Sequence, residues 1–269
     1  MAIPLEDSFS DIVGKAMRGL KLTDAQVAES AGVMPDAVNR LREGEWDEDT
    51  ARKVAPVLGL KADALADLGN RAWTPGSVSV EGLASFNTVF EDMTVNAYLV
   101  WDPVSKEAVA FDTGTDISGQ LKLIAEKNLR LSLILLTHTH GDHIFELDRL
   151  KEKTGAPAFV SQHEPLEGAE PFDAGRKFSA GGLEIETRFT WGHSKGGITF
   201  VVAGLSRPIG VVGDAMFAGS MGGGGVSYPD ALRTNRQEIL TLPDETILCP
   251  GHGPLTTVGE QKVHNPFFP

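Results

Sequence analysis

The segment "LRLSLILLTHTHGDH", residues 129–143, constrains the fold more than any other stretch of the chain. A near-continuous apolar run of this kind reads as a strand covered on both faces. It breaks off into three of the chain's seven histidines and an aspartate, all within residues 138–143. Residues i and i+2 of an extended segment face the same way, so His138 and His140 aim at one point. Asp142 and His143 follow where the chain turns into a helix, and they reach towards a second point nearby. A lone histidine is more often a satisfied surface or core residue. Three imidazoles and a carboxylate buried together without partners would cost several kcal/mol, and metal coordination explains all four at once.

Other strand ends supply matching groups. "WGHSKGG" presents His193 after the strand "LEIETRFTW", "VVGDAMF" presents Asp214, and "LCPGHGP" presents His252. Five histidines and two aspartates divide into two neighbouring metal sites of nitrogen and oxygen ligands, a set that suits divalent zinc, iron or manganese. Around them "VNAYLVWD" and "EAVAFDTG" read as paired strands, and "DISGQLKLIAEKN" and "IFELDRLKEKTG" as helices. "APAFVSQ", "GITFVVA", "PIGVVGD" and "TILCPG" read as further strands. Strands that alternate with helices and then cluster indicate a mixed α/β layer fold.

Residues 8 to about 70 follow a different pattern, helices only. Phe9, Ile12, Val13, Ala16, Met17 and Leu20 recur at helical spacing. Thr23 and Gln26 form a capping-box pair, Gly32 suits a helix exit, and Pro35 suits the first turn of the next helix. "LTDAQVAESAGVMPDAVNRLREGE" resembles the helical domain of phage-repressor-like DNA-binding proteins. Residues 1–72, however, hold 13 acidic and 9 basic side chains, net −4. A DNA reader needs cations for phosphate contacts, so nucleic-acid binding is disfavoured. A helical cap or dimerisation module is the plainer reading, and a homodimer is compatible with it. "NRAWTPGSVSVEG", residues 70–82, marks a boundary. The expected division is a helical, helix-turn-helix-like domain over 1–72 and a catalytic domain over 73–269.

The net charge of −13 repels polyanions, and no dense Lys/Arg run offsets it. The single cysteine, Cys249, excludes an internal disulfide and a cysteine-rich metal site. The first residues lack the pattern of a signal peptide, and the longest aliphatic run is too short to span a bilayer. The expectation is a cytoplasmic protein acting on a small molecule, with no membrane partner.

From about residue 78 onward the chain resembles the metallo-β-lactamase superfamily with its αβ/βα sandwich. "THTHGDH", "GHSKGG", "GDAMF" and "PGHGP" carry the resemblance, in the family's order. The resemblance implies that His138, His140 and His193 hold one metal, that Asp142, His143 and His252 hold a second, and that Asp214 bridges them. It implies two divalent ions, zinc foremost, with iron or manganese as alternatives. The tail "GHGPLTTVGEQKVHNPFF" resembles the short glyoxalase II-like hydrolases. They imply a metal-bridging hydroxide, with Asp142 and Asp214 in the catalytic set, acting on a thioester such as S-lactoylglutathione. A thiolate leaves with little protonation, its parent pKa lying near about 8.5, so thioesters and activated esters suit a site with no spare acid in these motifs.

Glycines 222–225 stand where glyoxalase II relatives carry Gly-Arg-x-Asp, and the chain ends 17 residues after His252. Both departures weaken the case for glutathione. The Gly-rich stretch reads either as a mobile loop or as a tight reversal. Lys195, beside His193, is a candidate for attracting a substrate carboxylate. His163 and His264 match no ligand motif. The rival functions are an iron-dependent persulfide dioxygenase, a lactonase or β-lactamase, and a DNA-binding regulator with a metal-domain sensor.

Overall fold

A computed structural model describes residues 3–269. The chain opens with five helices: α1 (Phe9–Leu20), α2 (Asp24–Ala31), α3 (Pro35–Arg42), α4 (Glu48–Val57) and α5 (Ala62–Gly69). Then come β1 (Leu83–Phe90), β2 (Met93–Trp101), β3 (Glu107–Phe111), α6 (Ser118–Lys127), β4 (Arg130–Leu135), α7 (Gly141–Ile144) and α8 (Leu147–Thr154). The strands β5 (Ala158–Ser161), β6 (Glu170–Phe172), β7 (Lys177–Ala180), β8 (Leu183–Phe189), β9 (Ile198–Ala203) and β10 (Ile209–Gly213) follow. α9 (Tyr228–Thr234) runs into a π-helical turn (Asn235–Ile239), and β11 (Ile247–Pro250), β12 (Thr256–Thr257) and α10 (Val258–His264) complete the order.

Local chemistry sets the helix ends. Thr23 and Gln26 close a reciprocal capping box on α2, as Ser8 and Asp11 do on α1. Gly32 takes a left-handed conformation at φ 67° to stop α2, and Pro35 opens α3.

Two six-stranded sheets form, in the orders β1-β2-β3-β4-β5-β6 and β12-β11-β10-β9-β8-β7. They pack face to face around Tyr98, Phe111 and Leu135 from one and Ile185, Phe200 and Val211 from the other. Alternation along each strand then builds the outer layers. Leu99 and Ile134 point away from that core, towards Ile117, Leu147 and Leu150 beside α6 and α8. On the second sheet Ile247 and Cys249 face inward, while Leu248 between them faces outward.

The outward side of the second sheet shows what the N-terminal helices do structurally. Ile12, Val13, Met17, Val38, Leu41, Val54, Leu58 and Leu65 share one apolar cluster with Val212, Met216, Tyr228, Leu248 and Phe267. The helices thus belong to the outer layer of an αβ/βα sandwich. The arginines of α3 are engaged locally: Arg40 lies 3.2 Å from Asp36, and Arg42 lies 3.2 Å from Asp24. No helix among the described residues is long and apolar enough to cross a membrane.

Strand direction then collects the polar residues. β3 and β4 are parallel, as are β10 and β11. Their C-terminal ends lead into Asp112, His138, Asp214 and His252, and the β8–β9 turn adds His193.

Candidate metal centre

The seven ligand-type side chains meet at this sandwich edge in two groups. His138, His140, His193 and Asp214 form one, and Asp142, His143 and His252 the other, with the ligand atoms within 4.8 Å of one another in each group. Asp214 faces both. Its Oδ2 lies 3.3 Å from His193 Nε2 and 3.4 Å from His252 Nε2, and its Oδ1 lies 3.3 Å from His143 Nε2. Asp142 Oδ2 lies 3.4 Å from both His143 Nε2 and His252 Nε2. His138 Nε2 and His193 Nε2 approach His140 Nδ1 to 3.0 and 3.1 Å. His138, His143 and His252 are buried, whereas His140 is exposed and His193 half-buried, so the first group borders the open side.

Carboxylate, backbone and hydroxyl partners on the far ring nitrogen orient four of the imidazoles. His143 Nδ1 donates to Asp112 Oδ2 at 2.8 Å, His252 Nδ1 to the Thr94 carbonyl at 2.7 Å, and His193 Nδ1 to the Gly223 carbonyl at 3.0 Å. Thr137 Oγ1, held by Asp112 Oδ2 at 2.8 Å, lies 3.0 Å from His138 Nδ1. Placing the proton on Nδ1 leaves four Nε2 lone pairs facing the centre, as metal-ligating histidines require.

The residues fit divalent ions on their own geometry. His143 Nε2 and Asp214 Oδ1 are buried without a hydrogen-bond partner although 3.3 Å apart. Such atoms are costly unless something coordinates them. Room is also kept for the cluster: a Cβ on Gly251 would fall 2.1 Å from Asp214 Oδ1 and 2.7 Å from His143 Cε1.

Without ions the charges sort themselves. Burial pushes the Asp214 carboxyl up, but the charges of His143 and His252 outweigh it and hold the group well below the usual carboxylate range. Burial disfavours charge on His143 as well, yet Asp214 and Asp112 raise it to about 10. His252, opposed by burial, is raised to about 11 by Asp142 and Asp214. Burial and the neighbouring His143 charge keep His138 well below the usual histidine range.

The Gly-rich stretch is a tight reversal packed on the site. Gly222 N donates to the Asp214 carbonyl at 3.0 Å, and a Cβ at Gly222 would lie 2.1 Å from that oxygen and 2.8 Å from His193 Nδ1. Lys195 is exposed and makes no hydrogen bond or ion pair among the described residues. His163 is exposed and tilts against Phe189, with ring centroids 4.9 Å apart. His264 stacks on Trp73 at 4.7 Å. Neither histidine belongs to the cluster.

Two contributors escape the sequence reading. Asp112, in "FDTG", is buried with φ +54°, an uncommon conformation for a non-glycine residue. Its signal is a carboxylate directly after an apolar strand, beside the strand that carries the histidines. Glu6 is the other: it rests on Gly253, where an added Cβ would meet the Glu6 amide nitrogen at 3.2 Å. Burial raises its carboxyl against the opposing pull of His252. Nothing local in "IPLEDS" marks it.

Comparison with known proteins agrees with this geometry. The chain is 32% identical over 197 residues to the probable metallo-hydrolase YqgX of Bacillus subtilis, covering 64% of this chain and 92% of that one. It is 29% identical over 198 residues to the hydroxyacylglutathione hydrolase GloC of Haemophilus influenzae, with 64% and 92% covered. Among solved structures, that of ETHE1 from Myxococcus xanthus superposes with TM-score 0.60 at 26% identity, covering 68% of this chain and 83% of that one. Residues 91–252 match the metallo-beta-lactamase superfamily, a span that runs from just before β2 to the last of the clustered histidines. With both the sandwich and its edge of histidines and aspartates in place, the chain belongs to the metallo-beta-lactamase superfamily.

Proposed function

We propose that this metallo-hydrolase is dinuclear and cleaves thioesters or activated esters, in the manner of a hydroxyacylglutathione hydrolase. The observation that carries the reading is Asp214, whose carboxylate faces both ligand groups at once, Oδ2 lying 3.3 Å from His193 Nε2 and 3.4 Å from His252 Nε2, and Oδ1 3.3 Å from His143 Nε2. His138, His140 and His193 would hold one ion, Asp142, His143 and His252 the other, with Asp214 between them. Two such ions, when bound, supply a hydroxide at neutral pH and polarise a carbonyl oxygen. Zinc suits the ligand set best, with iron or manganese as alternatives.

The chain's own residues do the rest. Asp112, Thr94 and Gly223 fix the ring orientations. The open side at His140 and His193 admits the acyl group, and exposed Lys195 stands on the chain beside it. Leaving-group chemistry selects the substrate class. A thiolate departs with little protonation, whereas an amine leaving unprotonated does not. The likeness to GloC supports a glutathione thioester, although the Gly222–Gly225 reversal occupies the stretch where the arginine of glyoxalase II relatives is expected.

An iron-dependent sulfur dioxygenase reading stands on equal footing, because the identity to ETHE1, 26% with TM-score 0.60, is of the same order as the 32% and 29% identities to the hydrolase relatives. One experiment separates them: metal content of the purified chain, measured together with turnover of S-lactoylglutathione, a lactone, a β-lactam and glutathione persulfide. Two ions and thioester cleavage are expected. A single iron with oxygen uptake on the persulfide would overturn the hydrolase reading.

A further inference from the structure

The N-terminal segment reaches the loop that follows Asp214 through a buried ion pair that the ligand set does not explain. Asp7, just before α1, pairs with Lys15 within it, and their side chains are only 8% and 15% exposed. The pair reaches across to the loop that follows Asp214. Asp7 Oδ2 accepts the Ser220 hydroxyl, and Lys15 Nζ donates to the Met221 carbonyl at 2.9 Å. The Lys15 ammonium also sits 5.2 Å from the centroid of the Phe217 ring, which lies nearly perpendicular to the His252 ring with centroids 5.6 Å apart.

The next residues of that loop are the ones holding the centre. Gly222 N donates to the Asp214 carbonyl, and the Gly223 carbonyl accepts from His193 Nδ1. The loop is also tied to α10 and the residue after it, where Gly219 N donates to Gln261 Oε1 at 2.9 Å and Asn265 Nδ2 donates to the Ser220 carbonyl at 2.7 Å. Asp7 and Lys15 therefore supply a second hold at Ser220 and Met221.

We propose that the Asp7–Lys15 pair is a positioning device for the metal centre, clamping the 215–223 loop so that Asp214 and His193 keep their mutual geometry. The inference rests on the metallo-hydrolase reading of the cluster. Burying two charges is a poor way to gain stability, since a well-packed apolar pair often does as well. What the charges add here is direction: each aims a hydrogen bond at one residue of the loop. The same contact gives the helical layer a use in the chemistry that needs no nucleic acid and no second subunit.

The test uses full-length protein with Lys15→Met, Asp7→Asn, the double variant, Lys15→Arg and Ser220→Ala. Zinc affinity is read by competition with a chromophoric chelator, and ligand geometry by the visible spectrum of the cobalt-loaded protein. Circular dichroism reports folding. Lys15→Met and Asp7→Asn should each weaken at least one ion by about tenfold or more, the range for residues that orient ligands. They should shift the cobalt spectrum and lower kcat more than they raise KM. The double variant should be no worse than either single one, and Lys15→Arg should recover part of the loss. Folded variants with wild-type zinc affinity and an unchanged cobalt spectrum would overturn the clamp. Should Lys15→Met fail to fold, Ser220→Ala decides, because it removes one hydrogen bond and leaves the ion pair. A weaker ion supports the clamp, and an unchanged one refutes it. Wild-type protein that takes up no metal would refute the metallo-hydrolase reading itself, a distinct outcome.

Discussion

Replacing Asp112 by Asn should cripple metal binding without touching a ligand. The carboxylate accepts three hydrogen bonds, each at 2.8 Å, from Thr137 N, Thr137 Oγ1 and His143 Nδ1. Asn tolerates the positive φ of this position, so the backbone does not oppose the change. One oxygen of the pair becomes an NH2 group. If the amide oxygen continues to serve Thr137 N, the new donor faces both the Thr137 hydroxyl and His143 Nδ1. His143 must then give up its Nδ1 proton or its partner. Moving the proton to Nε2 removes the lone pair that faces Asp142 and Asp214. Losses of this kind run to about 10–100-fold in metal affinity, which is about 1.4–2.7 kcal/mol. The metal-free fold should lose about 1–3 kcal/mol as well, for a buried group left short of its bond. Chelator competition measures the first quantity and urea denaturation of the metal-free protein the second. A variant that binds both ions as tightly as wild type would refute the argument that Asp112 sets the His143 tautomer.

Metal uptake should release protons. His143 and His252, raised to about 10 and about 11 in the metal-free cluster, both carry protons at neutral pH. Their contribution to the metal-free fold is complete below about pH 6.5 and is lost as pH rises through those values. Ion affinity should therefore climb with pH, with one proton released from each ring at pH 7, and calorimetry in buffers of different ionisation enthalpy counts them. A binding enthalpy independent of buffer would contradict this. Gly251→Ala should abolish binding at one or both sites, since its Cβ would fall 2.1 Å from Asp214 Oδ1; retention of two ions by elemental analysis would show that the loop yields. Glu6→Gln should lower KM for an anionic glutathione thioester relative to a neutral one and leave kcat alone, because Glu6 lies in the field of His252 and Asp214. A collapse of kcat on every thioester would mark Glu6 as a proton donor instead.

What could be read from the sequence alone is whatever a few neighbouring residues encode. The apolar run of β4 ends in His138–His143, and i, i+2 geometry already aims two of those imidazoles at one point. Thr23 with Gln26, then Gly32, mark the ends of α2 through hydrogen bonds spanning four residues or fewer, and Pro35 marks the start of α3 through its fixed φ. His193, Asp214 and His252 each follow an apolar strand, so their placement at strand ends is local too. The short strands β6, β7 and β12, the longer β1, and α9 carry weaker patterns and were not legible.

Tertiary structure alone decided how those ends meet. Sheet order and parallel pairing bring β3 beside β4 and β10 beside β11, across separations no periodicity records. That pairing turns Asp112 from an ordinary strand-end residue into the partner of His143, 31 positions away. Packing likewise made the Gly-rich stretch a tight reversal against Asp214 and His193, a choice glycine's freedom leaves open in the sequence. The apolar stripes of α1, α3, α4 and α5 state that each helix needs a partner. Only the outward face of the second sheet, where Leu248 and Val212 wait, determines which one, because hydrophobic burial is non-directional and shape complementarity chooses among the surfaces available.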